Sequence, residues 1–88
     1  MIHVDTNKGR FKFYTKVINQ KCYCILSPVN EREVKAKNIK EFIENEEVRK
    51  SYADKFIFIK ICNTFVNWKM VLNSMVRNYI GYETDGES

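Results

Sequence analysis

A strict alternation of side chains along residues 10–27 limits what this chain can fold into more than any other feature of its sequence. In an extended strand, alternate residues point to opposite faces. One face of the first strand is mainly apolar: Phe11, Phe13, Thr15 and Val17. The other face is mainly basic and aromatic: Lys12, Tyr14, Lys16 and Ile18. The sequence therefore predicts a β-hairpin whose two faces differ in character.

The same alternation fixes how the two strands of the hairpin pair. Folding the chain back at Asn19-Gln20 keeps the members of each face together. The predicted pairs are Val17 with Cys22, Thr15 with Cys24, Phe13 with Leu26, Lys16 with Tyr23, and Tyr14 with Ile25. A shift of one residue would mix the two faces, so this register is predicted. Because glutamine disfavours the positive φ of a two-residue turn, a slightly longer loop stays open.

The basic and aromatic side of this hairpin is a candidate binding surface. We call it the hairpin face, and its members are Lys12, Tyr14, Lys16, Lys21 and Tyr23. Tyrosine rings stack on nucleic-acid bases or anchor protein contacts, while lysines attract phosphates or carboxylates. The alternative is that the middle of the chain packs over this face, with the lysine stems along the apolar surface and their ammonium groups in water.

The middle of the chain is predicted to be helical. Residues 30–37 fit either a short helix or an edge strand, whereas Asn38 is a good N-cap followed by an apolar stripe. On one straight helix Val48 lies opposite Ile39, so both cannot face the same layer. A break near Asn45 resolves this conflict and predicts two short helices.

The last third of the chain contains a strand and a helix. Residues 56–66 begin with four consecutive apolar residues, which predicts a central strand buried on both faces. Asn67 is the predicted N-cap of the final helix, and Gly81 suits its left-handed end. The predicted core stripe of this helix is Trp68, Val71, Leu72, Met75 and Tyr79. Lys69 and Arg77 lie on its polar side and are further candidates for partner binding.

These elements predict an α+β fold in the order β-β-α-(α)-β-α. A small antiparallel sheet, made of the hairpin and the strand at 56–65, packs against the C-terminal helix, and segment 38–52 covers an edge or the second face. Residues 1–82 are predicted to form a single domain, and 83–88 a disordered acidic tail. Residues 1–9 are expected to be irregular, although Ile2-His3-Val4 fits a short strand.

Several classes of protein are disfavoured by what the sequence contains. No apolar run approaches the ~18 residues of a membrane span, and the N-terminus does not resemble a signal peptide. Three cysteines, an odd number, predict reduced, buried thiols and a cytoplasmic location. The C-x-C spacing of Cys22 and Cys24 does not match a zinc site, and the single His3 has no partner in sequence reach. We therefore expect no enzyme, no metal and no cofactor.

Charge points to an acidic partner. The chain carries a net charge of +4, and its basic excess lies in residues 1–30 and 56–80. The first hypothesis is a small non-enzymatic protein-binding regulator or inhibitor; the Lys-, Asn- and Ile-rich composition suggests a viral or phage accessory protein acting on a host complex. The second is a nucleic-acid-binding module that uses the hairpin face. Homodimerisation stays open, because the strand at 56–66 would lack neighbours in so small a sheet.

Overall fold

Four antiparallel strands in sequential order, β1-β2-β3-β4, form the only sheet in the described part of the chain. The computed structural model describes residues 1–62 and 67–81. The strands are β1 (Ile2–Thr6), β2 (Gly9–Ile18), β3 (Lys21–Pro28) and β4 (Phe58–Cys62). The helices are α1 (Ala36–Glu44), α2 (Glu46–Asp54) and α3 (Trp68–Met75), and α3 continues into a π-turn (Val76–Ile80). The predicted α+β class is confirmed, with the order β-β-β-α-α-β-α.

The hairpin has the predicted register. All five predicted pairs between β2 and β3 are present, and the pairing extends from Phe11–Pro28 to Ile18–Lys21. The turn is the short form, because Asn19 and Gln20 are its two central residues, with φ of 52° and 67°. Two positive φ values in sequence give the twist that suits a two-residue hairpin turn. Side-chain alternation therefore overrides the poor fit of glutamine to this conformation.

The N-terminal residues form a strand. β1 pairs antiparallel with β2, from Ile2 opposite Phe13 to Thr6 opposite Gly9. The expectation that residues 1–9 are irregular is wrong. The alternative of a short strand at Ile2-His3-Val4 is correct, but the strand continues to Thr6. Gly9, at φ 114°, occupies a backbone conformation that favours glycine and follows the tight connection into β2.

Helices cover both faces of the sheet. On one face, α3 and the π-turn pack on the apolar side of the hairpin, in a core of Phe11, Phe13, Cys24, Leu26, Leu72, Met75, Val76 and Ile80. The other face carries a second core, formed by Tyr14, Tyr23, Ile25, Val34, Ile39, Ile57 and Ile59. Ile18, Phe42 and Tyr52, partly buried, pack against that second core. The middle segment therefore covers the second face, one of its two predicted positions.

Helix α1 begins two residues before the predicted N-cap. Asn38 lies inside the helix, and the carbonyl of Lys35 accepts the first bonds, from the N–H groups of Asn38 at 2.9 Å and Ile39 at 3.1 Å. The prediction that Asn38 is the N-cap is therefore wrong. The predicted break is confirmed: Asn45 separates α1 from α2, and its side chain accepts hydrogen bonds from the N–H groups of Glu47 and Val48.

Strand β4 lies at the edge of the sheet and not at its centre. Among the described residues, β4 pairs with β3 alone. Ile61 is 56% exposed and Lys60 is also exposed, so the prediction of a strand buried on both faces is wrong. The predicted extension of this strand over residues 63–66 and the predicted tail at 83–88 fall outside the described residues.

Helix α3 has the predicted ends but a different buried stripe. The Asn67 side chain accepts the Lys69 N–H at 2.9 Å, and Gly81 ends the π-turn at φ 82°. The Gly81 N–H bonds to the Val76 carbonyl five residues back, which widens the last turn. This widening brings Ile80 into the core and leaves Tyr79 partly exposed. Tyr79 is therefore wrong as a core position, and so is Trp68, which is 46% exposed in the first turn of α3.

Candidate functional site

The aromatic residues of the hairpin face are part of the core. Tyr14 is 8% exposed and Tyr23 is 6% exposed, because α1, α2 and Val34 lie over them. The Val34 N–H donates a hydrogen bond of 2.9 Å to the Tyr14 hydroxyl oxygen, which ties the segment before α1 to the sheet. Neither ring presents a free surface for stacking on a base.

The lysines of the hairpin face differ in their surroundings. Lys12 is buried, and its ammonium group donates to the backbone carbonyl of Glu31. The Lys16 ammonium lies 3.4 Å from the Glu33 carboxylate, at the boundary of the helical layer. Lys21 is exposed next to the hairpin turn. The middle of the chain therefore packs over the hairpin face, which was the alternative to a binding surface. Lys16 and Lys21 are the members of this face that are most accessible to solvent.

The other two candidate cations lie on the opposite side of the sheet. Lys69 is exposed in the first turn of α3, with its Nζ 5.7 Å from the centre of the adjacent Trp68 ring. Arg77 is exposed in the π-turn. The structure therefore does not bring the seven predicted residues together on one surface.

Burial of Tyr14 gives the folded state a specific pH dependence. Burial raises the pKa of the Tyr14 hydroxyl, and the hydrogen bond from Val34 opposes this only in part. Below the ordinary tyrosine pKa of about 10 the resulting stability is fully present, and it is lost as pH rises through the higher folded value. We expect the urea midpoint to fall as pH rises above about 10. In Tyr14→Phe the fall should be smaller; an identical fall would contradict the assignment to Tyr14.

The structure assembles a different aromatic and basic surface along β4. We call it the edge patch, and its members are Phe56, Phe58, Lys60, Ile61 and Tyr79. The Phe58 and Tyr79 rings are stacked, with centroids 4.6 Å apart, and Phe56 meets Phe58 edge to face at 6.4 Å. Phe58 and Lys60 lie on the α3 side of the strand, and Ile61 lies on the other side. Apolar groups therefore border, on both faces, the edge of β4 that no other described strand pairs with.

Phe56 holds a backbone position that usually belongs to glycine. It follows the C-cap of α2 with φ 61°, and its N–H bonds to the Ala53 carbonyl while the Ile57 N–H bonds to that of Tyr52. This pair of bonds is the Schellman motif, which favours glycine at the left-handed residue. A side chain there costs about 1–2 kcal/mol. The contacts of the Phe56 ring with Phe11 and Phe58 offset part of this cost.

The two outer strands of the sheet differ in how they are protected. The exposed side chains of β1 include His3 and Asp5, and Asp5 lies 3.5 Å from Arg10 on the neighbouring strand. Charged and polar side chains at an edge discourage pairing with another chain. β4 carries a single charge, Lys60, between apolar residues. Its edge is therefore the more receptive of the two.

Sequence reasoning missed the edge patch for identifiable reasons. The apolar run at 56–59 predicted a buried strand, although an edge strand flanked by a helix layer gives the same pattern. Tyr79 fits the α-helical core stripe, and only the π-turn moves it outward. The positive φ of Phe56 could not be predicted from the sequence, because the residue that usually marks a left-handed helix end is glycine and this position carries phenylalanine. The four cations between residues 55 and 81, with no Asp or Glu among them, were the available signal.

The cysteines do not remain three free thiols. Cys24 and Cys62 form a disulfide between β3 and β4, with their Cα atoms 6.3 Å apart. Cys22 is the free cysteine among the described residues, and it is half-buried. The prediction of three reduced, buried thiols is therefore wrong. The prediction rested on the odd number of cysteines, whereas the pairing of β3 with β4 brings Cys62 close to both cysteines of β3.

Other kinds of site find no support in the part of the chain that the structure describes. Residues 1–62 and 67–81 contain no group of three or more His, Cys, Asp or Glu side chains placed to hold a metal ion. No helix within these same ranges is long and apolar enough to cross a membrane. Comparison of the chain with protein-family models, with curated proteins and with solved structures finds no match.

Proposed function

We propose that this chain is a small non-enzymatic protein-binding regulator or inhibitor, and that it captures an extended segment of its partner along β4. The observation that carries this proposal is the edge patch: among the described residues β4 pairs on one side only, Ile61 is exposed on one face of the strand, and the Phe58–Tyr79 stack lies on the other face with Tyr79 exposed. A segment added to such an edge gains main-chain hydrogen bonds, and pockets for alternate side chains provide specificity. Aromatic rings supply large contact areas at low conformational cost.

Charge favours an acidic partner segment over a second copy of the chain. Lys60 is the central residue of β4, so antiparallel pairing of two copies about the strand centre would place two lysines opposite each other. Like charges directly opposite each other destabilise a sheet. Lys55, Lys69 and Arg77 add positive charge in the same third of the sequence. A partner strand with a carboxylate facing Lys60 and apolar neighbours on alternate positions fits these constraints.

The nucleic-acid alternative has less support. Its stacking residues were Tyr14 and Tyr23, and both are buried beneath the helical layer. Lys16 and Lys21 remain for contacts with phosphates, but Lys16 already lies near Glu33. The interpretation as a viral accessory protein rests on composition and is kept as part of the proposal. The cytoplasmic location is kept as well, although the Cys24–Cys62 disulfide removes the reduced thiols from which it was predicted.

A peptide selection tests the proposal directly. The protein would be used to select binders from a displayed library of random linear peptides, and a selected peptide would be titrated into isotope-labelled protein. We expect peptides that alternate apolar residues around an acid, with amide shift changes concentrated in β4 because the peptide pairs there. Ile61→Asp should weaken binding about 30-fold or more, since it removes an exposed anchor and repels an acidic segment.

Two further variants make this test specific. Phe56→Gly deletes a ring of the edge patch while it relaxes the left-handed backbone, so binding should weaken without loss of the fold. Val17→Asp is the matched control, because Val17 is an apolar strand residue that is 69% exposed and lies on β2, two strands away. Unchanged binding by Ile61→Asp, or an equal loss in Val17→Asp, would contradict the proposal.

A DNA-binding measurement on the same protein tests the nucleic-acid alternative. Binding of a labelled single-stranded DNA oligonucleotide would be measured across a range of salt concentrations. Phosphate contacts make affinity fall steeply with salt. Tight, salt-sensitive binding that is lost in Lys16→Glu/Lys21→Glu would support the alternative and contradict the proposal. Lys12 is left unchanged in this test, because it is buried and its reversal would disturb the fold.

A further inference from the structure

The three cysteines of the chain converge on one side of the sheet. Cys22 and Cys24 are alternate residues of β3, so both point toward α3, and Cys62 ends β4 on the same side. Cys62 is bonded to Cys24. The Sγ atom of Cys22 lies 3.5 Å from the Sγ atom of Cys62. Cys62 therefore has two sulfur neighbours at once.

The position of Cys22 suits a disulfide with Cys62. These two residues are direct partners in the β3–β4 register, whereas Cys24 is opposite Lys60 and reaches Cys62 diagonally. Residues directly opposite in an antiparallel pair have Cα atoms about 4.5–5.5 Å apart. This separation lies within the range that disulfides span without backbone movement. Both pairings are therefore open to Cys62 within one backbone arrangement.

From this convergence we infer that the chain contains an internal thiol–disulfide exchange site in which Cys62 alternates between Cys24 and Cys22. The Cys22 thiol loses its proton, and the thiolate attacks Sγ of Cys62. The Cys22–Cys62 bond forms as the Cys24–Cys62 bond breaks, and the Cys24 thiolate takes up a proton. One disulfide and one thiol are present before and after, so the step needs no oxidant or reductant.

Exchange changes how reactive the chain is toward thiol reagents. In the state with Cys24 bonded, the free thiol is the half-buried Cys22. In the other state the free thiol is Cys24, which is 2% exposed within the core beneath α3. Access governs modification of a thiol, so exchange moves the free thiol from a reachable position to a protected one. β4 stays tied to β3 in both states.

Mapping the free thiol in the oxidised protein tests this inference. The folded protein would be incubated at neutral pH, quenched in acid, and alkylated with N-ethylmaleimide under denaturing conditions. Chymotrypsin cleaves after Tyr23 and separates Cys22 from Cys24 for mass spectrometry. We expect the label on both residues, with Cys62 disulfide-linked peptides to both. A label confined to Cys22 at every incubation time would overturn the inference, and this result needs no variant.

Two variants check each pairing alone. Cys22→Ser should keep the Cys24–Cys62 disulfide and fall from one free thiol per chain to none. Cys24→Ser should form the Cys22–Cys62 disulfide and also contain no free thiol. Near-ultraviolet circular dichroism would establish that each variant is folded. A folded Cys24→Ser protein that retains two free thiols under the same oxidising conditions would also overturn the inference.

Discussion

Ile25→Ala should lower the free energy of unfolding by about 2–5 kcal/mol. Ile25 has no exposed surface and lies at the centre of the core beneath α1 and α2, between Val34, Ile39 and β4. Its neighbours belong to separate elements, so they close only partly around the lost atoms and leave a cavity. The total stability of a small domain is about 5–15 kcal/mol, so the loss is a large fraction of it. Urea unfolding of the two proteins measures it.

Two companion variants show which layer is responsible. Leu26 also has no exposed surface, but it points into the opposite core beneath α3, so Leu26→Ala should cost about as much. Val17→Ala removes exposed atoms and should change stability by no more than about 0.5 kcal/mol. An Ile25→Ala effect as small as that of Val17→Ala would mean that the helices do not cover the hairpin face, and Tyr14 and Tyr23 would return as binding candidates.

Much of the hairpin was predictable because the alternation of its side chains specifies how the two strands pair. Side-chain alternation along β2 and β3 admits one register, and the turn at Asn19 and Gln20 follows from it even though glutamine is a poor residue for it. The break at Asn45 and the end at Gly81 were predictable for a different reason. At both positions the residue type that the backbone needs stands where the apolar pattern changes.

The candidate site was not predictable, because its residues depend on contacts between distant elements. The apolar run in β4 gives the same pattern for a central strand and for an edge strand; only the strand order decides. Tyr14 and Tyr23 alternate with lysines as a solvent-facing strand would, yet α1 and α2 cover them. The π-turn that moves Tyr79 onto Phe58 has no local sequence signal. The hairpin face and the edge patch have similar residue types, and they differ in whether their aromatic side chains are buried or exposed.

Reduction of the disulfide should lower the free energy of unfolding by about 4 kcal/mol, because the bond closes a loop across 38 residues and restricts the unfolded chain. Urea unfolding with and without a thiol-free reducing agent measures this loss. Cys22→Ser retains Cys24 and Cys62, so it should show the same loss on reduction. Cys62→Ser has no cysteine left on β4 and should show little response to the reducing agent.

The response of Cys24→Ser connects stability to the exchange site. If Cys62 accepts Cys22 as a partner, this variant still closes a loop of nearly the same length and should lose almost as much stability on reduction as the wild type. If Cys62 bonds Cys24 alone, Cys24→Ser should behave like Cys62→Ser and show little response. The comparison separates the two cases by a difference of several kcal/mol, well above the uncertainty of extrapolation from urea.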